Sequence, residues 1–95
     1  MRVQLTETYR DWINALRDRT TRARIQVRVD RLVHGNPGQV RRLTEGVSEL
    51  KIDVGPGYRV YYTERNGELI ILLAGGDKSS QRQDIEAALE LARHL

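Results

Sequence analysis

Lys51, Arg59 and Tyr61 are the side chains of this 95-residue sequence best placed to act together on a substrate. They fall on two stretches that alternate like strands, Ser48–Val54 and Gly57–Arg65, joined through the turn Gly55-Pro56-Gly57. In the first stretch Leu50, Ile52 and Val54 share one face, and Glu49, Lys51 and Asp53 the other. In the second, Val60 and Tyr62 oppose Arg59, Tyr61, Thr63 and Arg65. Folded antiparallel, the pair puts a lysine, an arginine and a phenol on one side of a sheet. Arginine offers a planar fork to a phosphate, and lysine is a cation whose proton affinity neighbouring charges can tune. RNA brings its own nucleophile, the 2′-hydroxyl. Cutting it takes a base near that hydroxyl, positive charge on the phosphate, an acid at the leaving oxygen and a stacked nucleobase. On that chemistry Arg59, Lys51 and Lys78 are the candidate catalytic residues. Tyr61, Arg65, Arg41, Arg42 and Ser79 are the candidate RNA contacts. The same pattern also describes an ordinary charged solvent face, so the residues alone leave both readings open.

Other chemistries are poorly served. The run Gly75-Gly76-Asp77-Lys78-Ser79-Ser80 has the ingredients of a phosphate-binding loop, but the GxxxxGK[ST] spacing is absent. What survives is a glycine- and lysine-flanked helix start that could attract a phosphate, or simply a turn with a solvated lysine. His34 and His94 stand alone at helix ends, where a cation suits the helix dipole, and no metal or other cofactor is expected. No histidine lies near the strand-rich region, so a serine triad has no base.

Several elements must hold these residues in place. Met1–Leu5 alternates as a short opening strand, Val3 and Leu5 against Arg2 and Gln4. Thr6 is an N-cap for a helix whose apolar stripe is Tyr9, Trp12, Ile13 and Leu16, with Trp12 read as core packing. The stretch from Asp18 to His34 fits both periods: Ala23, Ile25, Val27 and Val29 alternate, while Ile25, Val29, Leu32 and Val33 fit a helix. Its unbroken length favours a second helix, ended by Gly35-Asn36-Pro37-Gly38. Val40–Leu43 reads as a short edge strand, and Asn66-Gly67 as a tight hairpin. Leu69–Ala74 is apolar on both faces, as a doubly covered strand should be. Ser80 with Gln83 has capping-box spacing before a last helix with the stripe Ile85, Ala88, Leu89 and Ala92. The order predicts an α+β fold: a short N-terminal strand, a two-helix hairpin, an antiparallel meander and a C-terminal helix.

Length suits a single domain over residues 1–95. The absence of cysteine excludes disulfides and thiolate metal sites, and with no leader or long apolar run the expected location is the cytoplasm, away from membranes. The net charge of +3 and a pI near 9.7 favour anionic partners mildly. Distribution says more, since six arginines and two aspartates lie between Arg17 and Arg31.

Three runs give the chain a family look: Gly46-Val47-Ser48-Glu49-Leu50-Lys51-Ile52, then Gly57-Tyr58-Arg59-Val60-Tyr61-Tyr62, then Leu72-Leu73-Ala74-Gly75-Gly76-Asp77-Lys78-Ser79-Ser80-Gln81 with Asp84-Ile85. Together they resemble the RelE/ParE superfamily, most closely its "addiction module killer" branch of type II toxin–antitoxin toxins. The resemblance implies a compact RelE-like toxin neutralised by a cognate antitoxin, often a helix-turn-helix protein from the adjacent gene. It implies ribosome-dependent cleavage of mRNA without metal, leaving a 2′,3′-cyclic phosphate. By position, Arg59 matches the strand arginine that contacts phosphate, Lys51 a basic residue proposed as base or charge stabiliser, and Lys78 lies near a loop arginine of leaving-group chemistry. ParE-type relatives share the fold and poison DNA gyrase instead, and a catalytically inactive homologue is the further alternative. Many relatives carry an aromatic at Ser48 and arginine at Lys51. RelE and HigB members also place a tyrosine or histidine near the C-terminus, where this chain has Asp84–Ala88 with only His94 nearby, so base stacking is expected to fall to Tyr61.

Overall fold

A computed structural model describes residues 1–95. Strand β1 (Arg2–Leu5) leads into helices α1 (Glu7–Ala15) and α2 (Arg19–Val33). Strands β2 (Val40–Arg42), β3 (Val47–Ile52), β4 (Tyr58–Arg65) and β5 (Leu69–Asp77) follow, then a 3-10 turn (Lys78–Ser80) and helix α3 (Gln81–Arg93). The strands form one five-stranded sheet in the order β1-β5-β4-β3-β2. The meander β3-β4-β5 is antiparallel, β2 extends it at one edge, and β1 pairs parallel to β5 at the other. This is the expected α+β, RelE-like architecture. No helix is long and apolar enough to cross a membrane.

Burial settles the ambiguous second segment as a helix. Thr21, Ile25, Val29 and Leu32 are buried, one helical stripe, whereas Val27 is exposed although a strand would place it beside Ile25 and Val29. Thr6 caps α1 by accepting from the Tyr9 amide, as expected. Asn66 and Gly67 take φ of 58° and 66°, both left-handed, in a tight turn closed by the Glu68 amide donating to the Arg65 carbonyl at 3.0 Å.

The sheet separates two apolar cores. On one face Tyr9, Ile25, Val29 and Leu32 of the helical hairpin pack on Leu50, Ile52, Val60, Tyr62, Ile70 and Leu72. On the other, Ala88 of α3 meets Val47, Tyr61, Ile71, Leu73 and Ala74. Between these layers the β4–β5 register jumps from Tyr61↔Ala74 to Tyr62↔Leu72. Leu73 is the extra residue of a bulge, and it lets both Leu73 and Ala74 face α3.

Two local expectations need correction. Gly75 and Gly76 are not a turn; they belong to β5, where side chains from both layers press on the backbone. A Cβ on Gly75 would stand 2.2 Å from the Trp12 ring, and one on Gly76 only 1.8 Å from Asp84 Oδ2. The cap also lies elsewhere. Ser80 makes no capping bond, and its hydroxyl donates to Asp84 instead, while Asp77 accepts from the Ser79 amide at 2.8 Å. A carboxylate therefore already sits where a phosphate was expected to bind before the last helix.

A candidate anion-binding groove on the α3 face

β3 and β4 place Lys51 directly opposite Arg59, and Glu49 opposite Tyr61. Glu49, Lys51 and Arg59, with Arg41 from β2 and Gln81 from the start of α3, line a groove of about 390 Å³ between the sheet and the loop Gly38–Gln39. Its floor is Arg59, which is only 7% exposed. Three anchors hold that guanidinium: Nη1 donates to the Gly57 carbonyl at 2.9 Å, Nε lies 3.6 Å from Glu49 Oε1, and the aliphatic stem is packed into the sheet. At 3.6 Å the Glu49 contact is an ion pair rather than a hydrogen bond, so Nε remains a buried donor without an acceptor.

Glu49 is the residue that the sequence reading left without a role. It is 4% exposed and accepts from Gln81 Nε2 at 2.9 Å, while Arg41 Nε lies 3.2 Å from its second oxygen. One buried carboxylate thus orients two arginines and ties the sheet to α3. The available signal was its position on the Lys51–Arg59 face, within reach of cations on both neighbouring strands.

Lys51 is half-exposed and 3.9 Å from Asp53 Oδ1, so its amine opens to the groove's rim. Lys78 starts close to Gly57: a Cβ at Gly57 would stand 3.4 Å from Arg59 Nη1 and 4.0 Å from Lys78 Cβ. The groove brings together Arg41, Lys51 and Arg59 with Glu49, and Lys78 is not among its lining residues. Asp77 is nearby, its carboxyl held below the usual range by the Ser79 hydroxyl and amide, with a smaller pull from Arg59. Ser79 spends its hydroxyl on that same Asp77.

Three expected contacts lie elsewhere. Tyr61 is fully buried under α3, so it presents no ring face to a nucleobase. Burial, then the charges of Glu49 and Asp84, push its hydroxyl well above the ordinary tyrosine range. Arg42 points to the opposite side of the sheet, beside Ser48 and Tyr62. Arg65 shares the Arg59 face but sits at the far end of β4, about 20 Å along the strand. His94 ends α3 against Glu90, a full helix away from Gln81 and the groove. No group of three His, Asp or Glu residues could hold a metal ion.

Taken together, the features are those of a small α+β protein with a groove lined by Arg41, Lys51 and Arg59 on one sheet face. Residues 11–95 match the family model described as Phage derived protein Gp49-like (DUF891), and the chain belongs to that family. A protein of Haemophilus influenzae described as uncharacterized is 43% identical over 95 residues, spanning 100% of this chain and 96% of the relative. No solved structure matches the chain.

Proposed function

We propose that this chain is the toxin of a type II toxin–antitoxin module and that its groove cleaves mRNA on the ribosome without a metal ion. The observation that carries the reading is Arg59, a guanidinium immobilised at the floor of a groove that Arg41 and Lys51 also line. Gp49-like family membership supports it, together with the RelE/ParE resemblance of the strand and loop motifs.

In this reaction Arg59 and Arg41 hold the scissile phosphate and offset the charge that builds on its oxygens. Lys51 takes the proton of the 2′-hydroxyl as the 2′-oxygen attacks phosphorus. The bond from phosphorus to the 5′-oxygen breaks, and Lys78 gives that oxygen a proton. The products are a 2′,3′-cyclic phosphate and a free 5′-hydroxyl. Glu49 takes no proton in this scheme; it keeps the two guanidinium planes in place.

The test is primer extension on a reporter mRNA in a translating extract, with the wild type, Lys51→Ala and Arg59→Lys. Cuts that require ribosomes are expected for the wild type. Both variants should cut at least about a hundredfold more slowly, because a general base alone contributes on that order. Lys51 is half-exposed, so its replacement leaves the fold intact, and unchanged cleavage by Lys51→Ala would overturn its role. Intact mRNA with inhibited DNA supercoiling would select the gyrase-poison alternative.

A further inference from the structure

We infer that the crevice between α1 and α2 is a docking site for an acidic, aliphatic segment of a partner protein. This crevice, about 550 Å³, has Leu5, Ile13 and Ala23 for its apolar wall and Arg10, Arg19 and Arg22 around it. It lies on the helical-hairpin face of the sheet, opposite the Arg59 groove, and the inference does not rest on RNA cleavage.

The arginines carry the argument. Four other arginines are engaged: Arg28 ties α2 to the Lys51 and Pro37 carbonyls, and Arg41, Arg59 and Arg93 each face a carboxylate. Arg10, Arg19 and Arg22 take part in no ion pair. Arg22 goes further, since its Nε is buried without any acceptor. A donor withdrawn from water and left unpaired is costly, and a carboxylate entering the crevice would remove that cost. Asp18, the acidic residue between the helices, does not supply one, because it is occupied by the Thr20 amide and the Thr21 hydroxyl.

The apolar component selects among anions. RNA would bring phosphates to the arginines, but no aromatic side chain lines the crevice to stack its bases. A polypeptide with aliphatic and acidic side chains uses both halves of the surface. β1 adds a third element of complementarity. It pairs only with β5, and Val3 and Leu5 are 40% and 37% exposed along it. Its outer backbone edge can accept an extended segment as a further strand.

Selection of short random displayed peptides on the full-length protein, followed by titration of the winners, tests the proposal. Winners are expected to combine Asp or Glu with Leu, Ile or Val. Arg22→Gln and the exposed Arg10→Gln should each weaken them about tenfold, the loss of one charge-assisted contact. Glu→Gln changes in the peptides should cost as much, while a short single-stranded RNA should bind both variants as it binds the wild type. Because Arg10 is exposed, its variant separates docking from folding. Winners without acidic residues, or winners indifferent to both substitutions, would overturn the proposal. RNA affinity that falls in both variants while peptide affinity holds would reassign the crevice to nucleic acid.

Discussion

Glu49 faces Arg41 on one side and Arg59 on the other, and each guanidinium depends on it differently. Arg41 is mostly exposed and can be solvated, whereas Arg59 is buried with Glu49 as its countercharge. Glu49→Gln would leave that buried cation unbalanced. Chemical denaturation should show a loss of about 3 kcal/mol, the usual cost of breaking a buried pair from one end. Cleavage should fall with it. Tyr9 invites the opposite change. Its hydroxyl is buried without a partner, and burial pushes its pKa up to about 12. The unfolded chain ionises near pH 10 while the folded one keeps its proton, so the protonated form's contribution is full below about 10 and lost on the way to 12. Tyr9→Phe should therefore gain about 1 kcal/mol at neutral pH and flatten the alkaline loss in urea titrations at successive pH values. It will not abolish that loss, because Tyr61 and Tyr62 are raised as well. These residues also mark how far the site was legible. Alternation placed Lys51 and Arg59 on one face correctly. It could not say that α3 covers much of that face, so Tyr61 read as exposed and Glu49 had no role. Four apolar residues on the same side, Val47, Tyr61, Ile71 and Leu73, were the sign that it had a core of its own.

At the scale of elements, β5 is the strand on which both layers close, and it does so through residues without side chains. Trp12 lies over Gly75, with three ring carbons between 2.2 and 2.7 Å from where a Cβ would be. Gly75→Ala should cost about 3 kcal/mol as overpacking, since a rigid ring and a sheet backbone have little room to separate. Combining it with Trp12→Leu should cost less than the sum of the two changes, a coupling that a double-mutant cycle in denaturant would measure. The elements themselves were readable because most segments carry one clear period. α2 was the exception, and length decided correctly where periodicity could not. The caps were less readable. Asp77, Ser79 and Ser80 all suit a helix start, and which one caps depends on Asp84, which draws the Ser80 hydroxyl away. The Leu73 bulge had no sequence signal, because a residue that faces either apolar core looks the same in the pattern.

Across the whole molecule, carboxylates stitch elements together at the surface. Asp18 caps α2, Asp77 caps the 3-10 turn, and Glu45 holds Arg93 of α3 through contacts of 2.7 and 2.9 Å. Asp18 and Asp77 are held below the ordinary range first by the Thr21 and Ser79 hydroxyls, and Glu45 by its hydrogen bonds from Arg93. Depressed folded values mean that their stabilisation is present above the unfolded carboxylate range and lost as pH falls through the folded values. A melting-temperature profile should thus be flat down to about pH 5 and fall below about pH 4. Added salt should weaken the Glu45–Arg93 share of that protection, since both partners are exposed.

The parallel pairing of β1 with β5 has a consequence in time as well as in space. The first strand to leave the ribosome docks against residues 69–72, and the Thr6 hydroxyl donates to the Leu73 carbonyl 67 positions later. Until that late segment is made, the α1–α2 hairpin lacks Ile70 and Leu72 of the surface it packs on. Closing so long a loop is entropically costly and comes slowly. The edge of the sheet that is written first is completed last, and a nascent chain carries Val3 and Leu5 unpaired for most of its synthesis.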